Sequence, residues 1–228
     1  MIIFQFVSVV IIGYLLGSIP CGVLIGKLLG KVDIRKSGSG KIGATNVLRT
    51  VGKKAAALSL FLDLLKGALA VVFAGLIVGR NYLVINDFGL GLLVAQCLAA
   101  LAAMAGHNWS VFLKFKGGRG VATFFGGLAA LCPVAALFGG EVFIIGAGLT
   151  RFASLGSIAG AVGTYSILIP LTIFNGFPVE YLAYAFIGTL VIIIMHRDNI
   201  IRLITGKERK IGEKAEASDP RPREDTKE

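Results

Sequence analysis

Apolar runs of bilayer-crossing length recur along this chain, and they leave few folds open to it. A transmembrane helix needs about 20 predominantly apolar residues, somewhat fewer when it is short or tilted. Ile2–Ile25, Ala55–Val78, Asp87–Ala105, Leu155–Phe174 and Glu180–Met195 are the clear candidates. A sixth stretch, Val121–Thr150, is apolar throughout but interrupted by Pro133 and the Gly139-Gly140 pair, so it makes either two short spans or one re-entrant hairpin. Two spans are preferred, which brings the total to seven. The expected fold is an all-α integral membrane protein, a polytopic bundle with both termini on opposite sides under either count.

Composition agrees. The 228 residues are 55% hydrophobic with a mean hydropathy of +0.81, above the roughly 45–50% apolar content of a soluble domain. Glycine, at 31 residues, suits helices that pack closely through small side chains. The first run has no basic residue before Lys27, so it lacks the positive leader of a signal peptide and reads as a retained span. Cys21, Cys97 and Cys132 each sit alone in apolar surroundings and read as small core residues, with neither disulfide nor metal spacing.

Charge sets the orientation. If the spans alternate, twenty-one of the 23 Lys and Arg residues fall on one side, with only Arg80 opposite and Lys66 inside a span. The positive-inside rule then puts the N-terminus outside and the C-terminus in the cytoplasm. The net charge of +10 does not indicate nucleic acid, because the basic residues lie in short segments between apolar runs. Residues 1–205 form the membrane domain by this reading, and 206–228, rich in mixed charge with Pro220 and Pro222, form a disordered cytoplasmic tail.

Three cytoplasmic segments carry chemistry. The first, Ser37 to Arg49, reads S-G-S-G-K-I-G-A-T-N-V-L-R. Clustered glycines allow backbone N–H groups to turn inward as an anion-binding nest, with side-chain donors from Ser39, Thr45 and Asn46 and charge from Lys41 and Arg49. A flexible positive-inside loop would account for the lysines but not for this clustering. The segment is no Walker loop, since Ile42 follows the Gly-Lys pair. The second segment, in the loop from His107 to Gly120, places Lys116, Gly117, Gly118, Arg119 and Gly120 just before a span, where a helix N-terminus favours phosphate. Trp109 and Phe112 suit the membrane interface. The third begins at His196, with Asn199 and Arg202 spaced to share one helical face. His196 could act as a base or donor; the same segment could equally be an amphipathic helix resting on anionic lipid.

Two charges lie inside a span. Asp63 and Lys66 should face the bundle and pair as a structural clamp. Arg151, Ser154 and Ser157 mark another cytoplasmic turn whose hydroxyls could face a polar substrate. His196 and Asn199 make no metal set with His107. Residues alone therefore point to a small anionic, phosphorylated ligand. A membrane enzyme joining it to a lipid and a transporter of organophosphate both remain open. The placement of polar residues at the boundary rather than at the bilayer midplane favours the enzyme.

Taken together, and with D-L-L-K-G at Asp63–Gly67, these segments resemble the acyl-phosphate:glycerol-3-phosphate acyltransferases, the PlsY family of bacterial phospholipid synthesis, over nearly the whole chain to about Lys210. The resemblance implies seven helices in the bacterial inner membrane and an active site facing the cytoplasm. It implies transfer of an acyl chain from acyl phosphate, not acyl-CoA, to glycerol 3-phosphate, giving lysophosphatidic acid and phosphate. No cofactor is implied; the partners are the two substrates, membrane lipid and the soluble enzyme that makes acyl phosphate. Ser39 and Arg49 fall on the family's important first-motif Ser and Arg, and Gly117, Gly118 and Gly120 on its phosphate-binding loop. His196 and Asn199 fall on its third-motif pair, Glu208 on an acidic residue of structural character, and Ser157 on a serine lining the substrate site. Lys41 stands where the family usually has Asn, and Arg119 where it usually has Lys; Arg119 keeps the charge and adds a planar fork.

Overall fold

The computed structural model describes residues 2–81, 83–85 and 88–213, and these form an almost wholly helical bundle. Helices are what a chain in lipid must form, because only they pair every backbone N–H and C=O within the segment. In chain order they are α1 (Ile2–Ser18), α2 (Cys21–Gly30), α3 (Ala44–Thr50), α4 (Lys53–Val78), α5 (Leu92–Asn108), α6 (Val121–Leu131), α7 (Pro133–Thr150), α8 (Ala153–Asn175), α9 (Val179–Met195) and α10 (Arg197–Ile204).

Prolines account for where the expected spans break. The first run is divided at Ile19-Pro20 into α1 and α2, because proline has no N–H for the helical ladder. Val121–Thr150 divides at Cys132, with Pro133 opening α7 in the first-turn position that tolerates it. The Gly139-Gly140 pair lies inside α7 and interrupts nothing. With 11 residues, α6 is about 16 Å long, roughly half the hydrocarbon thickness of about 30 Å. Among the described residues, five stretches are long and apolar enough to cross a membrane: Ile2–Gly30, α4, the stretch from α5 to Leu113, α7 and α8. A sixth is reached only when α9 is counted together with α10 across their 60° bend. The run expected from Asp87 starts its helix later, at Leu92, after strands β1 (Leu83–Ile85) and β2 (Phe88–Leu90) pair antiparallel. Asp87 itself, and residues 214–228 of the expected tail, lie outside the described residues.

Close helix contact rests on small residues. A Cβ at Gly17 would come 1.9 Å from the Ala103 carbonyl oxygen, and one at Gly126 1.9 Å from that of Leu64, so glycine is what lets α1 meet α5 and α6 meet α4. The main core gathers Met104, Phe124, Leu128, Leu168, Tyr184 and Ile192 from α5, α6, α8 and α9, with the rings of Phe124 and Tyr184 stacked 5.3 Å apart. Large apolar side chains such as Phe4, Leu76, Leu137 and Ile144 face outward instead, as a lipid-facing surface requires.

Candidate active site

The three motif segments and the Ser154–Ser157 turn converge on one cavity of about 590 Å³. Its polar end holds Ser39, Lys41, Asn46, Arg49, Arg119, Gly120, Ser154, Ser157, His196, Asn199 and Glu208. From there an apolar arm runs between α4, α6 and α7, past Leu60, Leu64, Phe125, Ala129, Ala136 and Phe143. Leu60, Leu137 and Ile144 also face outward, so the arm lies open to the lipid side.

The first loop is held by its own asparagine. Asn46 is buried, and its Nδ2 donates to the carbonyls of Ile34 (2.8 Å), Ser37 (3.2 Å) and Lys41 (2.8 Å), while its Oδ1 accepts from the Ser39 N–H at 3.0 Å. Asn46 therefore shapes the loop, and its amide is not a free donor to a substrate. The expected anion nest is corrected for the same reason. The N–H groups of Ser39, Gly40 and Lys41 bond to Asn46 Oδ1, the Ser37 carbonyl and Ser39 Oγ. Beyond these three amides the segment lines the cavity with Gly43, Ala44 and Thr45 as well as with the side chains of Ser39, Lys41 and, from α3, Arg49.

In the second loop the glycines serve packing. Gly117 N–H donates to the Asn108 carbonyl (3.1 Å) and Gly118 N–H to that of His107 (3.0 Å), closing the C-terminus of α5. A Cβ at Gly118 would sit 2.1 Å from His107 Nε2. These amides are occupied and neither glycine lines the cavity, which corrects their assignment as a phosphate-binding pair. Lys116 is exposed and does not line the cavity either. Gly120, with φ +75°, turns the chain into α6 and does line it, beside Arg119.

The third segment folds back on itself. His196 closes α9, and its Nδ1 lies 2.8 Å from the Ile192 carbonyl. A carbonyl only accepts, so Nδ1 carries the proton and Nε2 keeps a lone pair. Burial, together with the Arg119 guanidinium, holds His196 down to about 4, so the imidazole is neutral at physiological pH. Glu208 belongs to the segment read as the start of a disordered tail, yet it accepts from Ser154 Oγ (2.8 Å), Asn199 Nδ2 (2.6 Å) and Arg202 Nε (2.7 Å). Burial opposes its ionisation, but these three donors prevail and hold its carboxyl below the usual value. Beyond it, Arg49 Nη2 donates to the carbonyls of Arg209 and Lys210, and Ile211 N–H to that of Arg151, so residues 207–211 strap the cavity mouth.

Asn199 is thereby oriented. A carboxylate only accepts, so the Asn199 NH₂ faces Glu208 and its Oδ1, buried and without a hydrogen-bond partner among the described residues, remains an acceptor. The Nε atoms of Arg49 and Arg119 are likewise buried and unpartnered among the described residues. Burial and neighbouring arginines push both guanidinium groups below their ordinary values, Arg119 to about 10 beside Arg202 and Arg49 beside Arg209. Arg49, Arg119 and Arg202 against Glu208 leave a surplus of positive charge that suits a multiply charged anion.

One member of this region escaped sequence reasoning. His107 is buried on α5, lines the cavity, and its Nδ1 lies 2.9 Å from Lys66 Nζ. Lys66 also meets Asp63 Oδ1 (2.8 Å) and donates to the Ile19 carbonyl (3.1 Å), so its three N–H donors have three acceptors. Asp63 and Lys66 thus make the expected ion pair, and His107 lies against both. As the first residue of the second loop, His107 carries no sign of this in the sequence; the buried Asp63-Lys66 pair was the available hint that a third polar group must lie nearby.

Comparison with known proteins follows the same lines. The sequence profile of the glycerol-3-phosphate acyltransferases matches residues 7–206. The chain belongs to that family. Glycerol-3-phosphate acyltransferase 3 of Dehalococcoides mccartyi (strain CBDB1) is 64% identical over 94% of this chain and 100% of the relative. A glycerol-3-phosphate acyltransferase of Thermus thermophilus is 44% identical over 91% of this chain and 96% of the relative. Among solved structures, PlsY (YgiH), an integral membrane glycerol 3-phosphate acyltransferase, matches in its glycerol 3-phosphate form with a TM-score of 0.78 at 39% identity, covering 91% of this chain and 96% of that one. Its lysophosphatidic acid form matches with a TM-score of 0.75 at 38% identity, covering 91% and 95%. The fold of that integral membrane acyltransferase is therefore shared over 91% of this chain.

Proposed function

We propose that this chain is a membrane acyltransferase that moves a fatty acyl group from acyl phosphate to the 1-hydroxyl of glycerol 3-phosphate, releasing lysophosphatidic acid and inorganic phosphate. The observation that carries this reading is the build of one continuous cavity, cationic at one end and apolar along its length. Such a shape suits a ligand with an anionic head and a hydrocarbon tail, and the arm's lipid-side opening suits a substrate entering from the inner leaflet. It suits a transporter of a small organophosphate poorly, since that ligand leaves the arm without purpose.

Arg49 and Arg119 hold the phosphates of the two substrates. Ser39 donates to the acyl carbonyl or phosphate oxygens. Asn199 Oδ1 and His196 Nε2 are both acceptors, so they suit the two hydroxyls of glycerol 3-phosphate, each with one proton to donate, rather than the carbonyl oxygen. The hydroxyl oxygen attacks the acyl carbon, the acyl C–O bond to phosphate breaks, and the hydroxyl proton passes to a phosphate oxygen. A histidine held near 4 is a poor base at neutral pH, whereas a phosphate monoester, with a second pKa of about 6, is a better one. Acyl phosphate is already activated, so positioning and charge stabilisation supply most of the catalysis.

The membrane is the bacterial inner membrane, with the N-terminus outside and the cavity mouth in the cytoplasm beside the soluble source of acyl phosphate. The weight of Lys and Arg in the mouth segments supports that orientation. Purified protein given labelled glycerol 3-phosphate should form labelled lysophosphatidic acid with acyl phosphate and none with acyl-CoA. Entry of label into proteoliposomes without product would replace the enzyme by a transporter.

A further inference from the structure

The two glycines in the middle of α7 have opposite surroundings. A Cβ on Gly139 would lie 1.8 Å from Thr164 Oγ1 and 2.9 Å from the Gly160 carbonyl oxygen, so close packing of α7 on α8 requires glycine there. A Cβ on Gly140 would meet no heavy atom within 4 Å. Gly140 has no left-handed backbone to explain it, and a glycine inside a helix is less stable than alanine would be. Its one distinction is that it lines the cavity. The same face of α7 contributes Pro133, Ala136, Phe143 and Ile144 at helical spacing. The C-terminal end of α7 lies at the polar mouth, where the Arg151 carbonyl takes the Ile211 N–H. Gly140 lies ten residues, about 15 Å, inward of the last residue of the helix, between Phe143 near the mouth and Pro133 at the inner end.

We infer that Gly140 determines which acyl-chain lengths this protein accepts, by leaving open the inner half of the apolar arm. This rests on the reading of the arm as the acyl-chain site. A side chain at 140 projects into the arm and closes the part beyond it, leaving the polar end and the outer part unchanged. Short acyl phosphates then still fit, and long ones lose the space for their terminal methylenes.

The experiment compares kcat/KM for octanoyl phosphate and palmitoyl phosphate in wild type, Gly140→Leu, Gly140→Phe and Gly148→Leu. Gly148 is also free of Cβ neighbours and lies outside this cavity, in an adjoining groove beyond Phe143 and Ile144, so its variant controls for added bulk on the same helix. Gly140→Leu should lower the palmitoyl-to-octanoyl ratio by about tenfold or more, the scale on which apolar pockets discriminate by methylenes, and Gly140→Phe should lower it further. Gly148→Leu should leave the ratio at the wild-type value. An unchanged ratio at Gly140, or equal loss with both donors, overturns the inference while leaving acyl transfer intact. A wild type that uses neither donor overturns the acyl-transfer reading itself, and this inference with it.

Discussion

Two groups of buried charge border the same cavity and are finished differently. In the clamp of Asp63, Lys66 and His107, every donor of the ammonium has an acceptor. In the mouth, Arg49 and Arg119 keep buried Nε donors, and Asn199 an Oδ1 acceptor, without partners among the described residues. Desolvated polar atoms without partners are costly. In the clamp the ammonium donors are engaged and Asp63 Oδ1 is held by ion pairs rather than hydrogen bonds, whereas the mouth leaves guanidinium donors and an amide acceptor open; the first pattern suits a structural device and the second a binding one. The clamp joins the Ile19-Pro20 break, α4 and α5; the mouth suits a ligand with acceptors for guanidinium groups and a donor for Asn199.

That contrast can be broken by substitution, beginning where the effect is largest. Lys66→Met leaves the Asp63 carboxylate buried without its cation and should cost about 3–5 kcal/mol of stability, read as a lowered unfolding midpoint in detergent. Asp63→Leu with Lys66→Met removes both charges and should recover most of that loss. If the double variant is no more stable than Lys66→Met, the clamp is not a charge-balanced unit.

Arg119→Ala should leave the unfolding midpoint near wild type and lower kcat/KM by about 10²–10³, the usual effect of losing one preorganised charge-stabilising donor. A large fall in stability with little change in rate would place Arg119 with the clamp instead. A smaller effect is expected at Glu208→Gln, whose new NH₂ competes with that of Asn199 and lets the amide turn over. Exchanging an acceptor for a donor at the hydroxyl should cost about tenfold in kcat, and Arg119→Ala kinetics would not mimic it if KM for glycerol 3-phosphate stays unchanged.

The smallest effect concerns pH. With His196 held near 4, its imidazole stays neutral through neutral pH and loses its acceptor role only as pH falls through that value. A fall in rate below about pH 6 then belongs to protonation of a substrate phosphate and should persist in His196→Asn, at lower overall activity. Disappearance of that acid limb in the variant would make His196 the titrating base.

Much of this was legible beforehand, for identifiable reasons. Hydropathy sums over a window and basic counts over a loop are local quantities, so the membrane helices and the motif-bearing loops could be read directly. Arg49, Arg119, His196 and Asn199 could be grouped through motif resemblance. The destination of individual hydrogen bonds could not be read. Gly117 and Gly118 look like an anion loop in any one-dimensional reading, and only the approach of α5 shows their amides closing that helix. Glu208 stands among charged residues of tail-like composition, yet Ser154 from far along the chain and Asn199 and Arg202 from the preceding helix capture it.

By itself the sequence determined the solvent of this protein, its helical class and the chemistry of the ends of its helices, because apolar length and residue type act without reference to what lies across the bundle. Tertiary structure alone decided which polar atoms are satisfied and which face the cavity, that His107 joins Lys66, and that Gly139 closes a helix contact while Gly140 opens a groove. Those outcomes depend on distances between residues far apart in the chain, and a buried polar atom or a missing Cβ has meaning only through its neighbours.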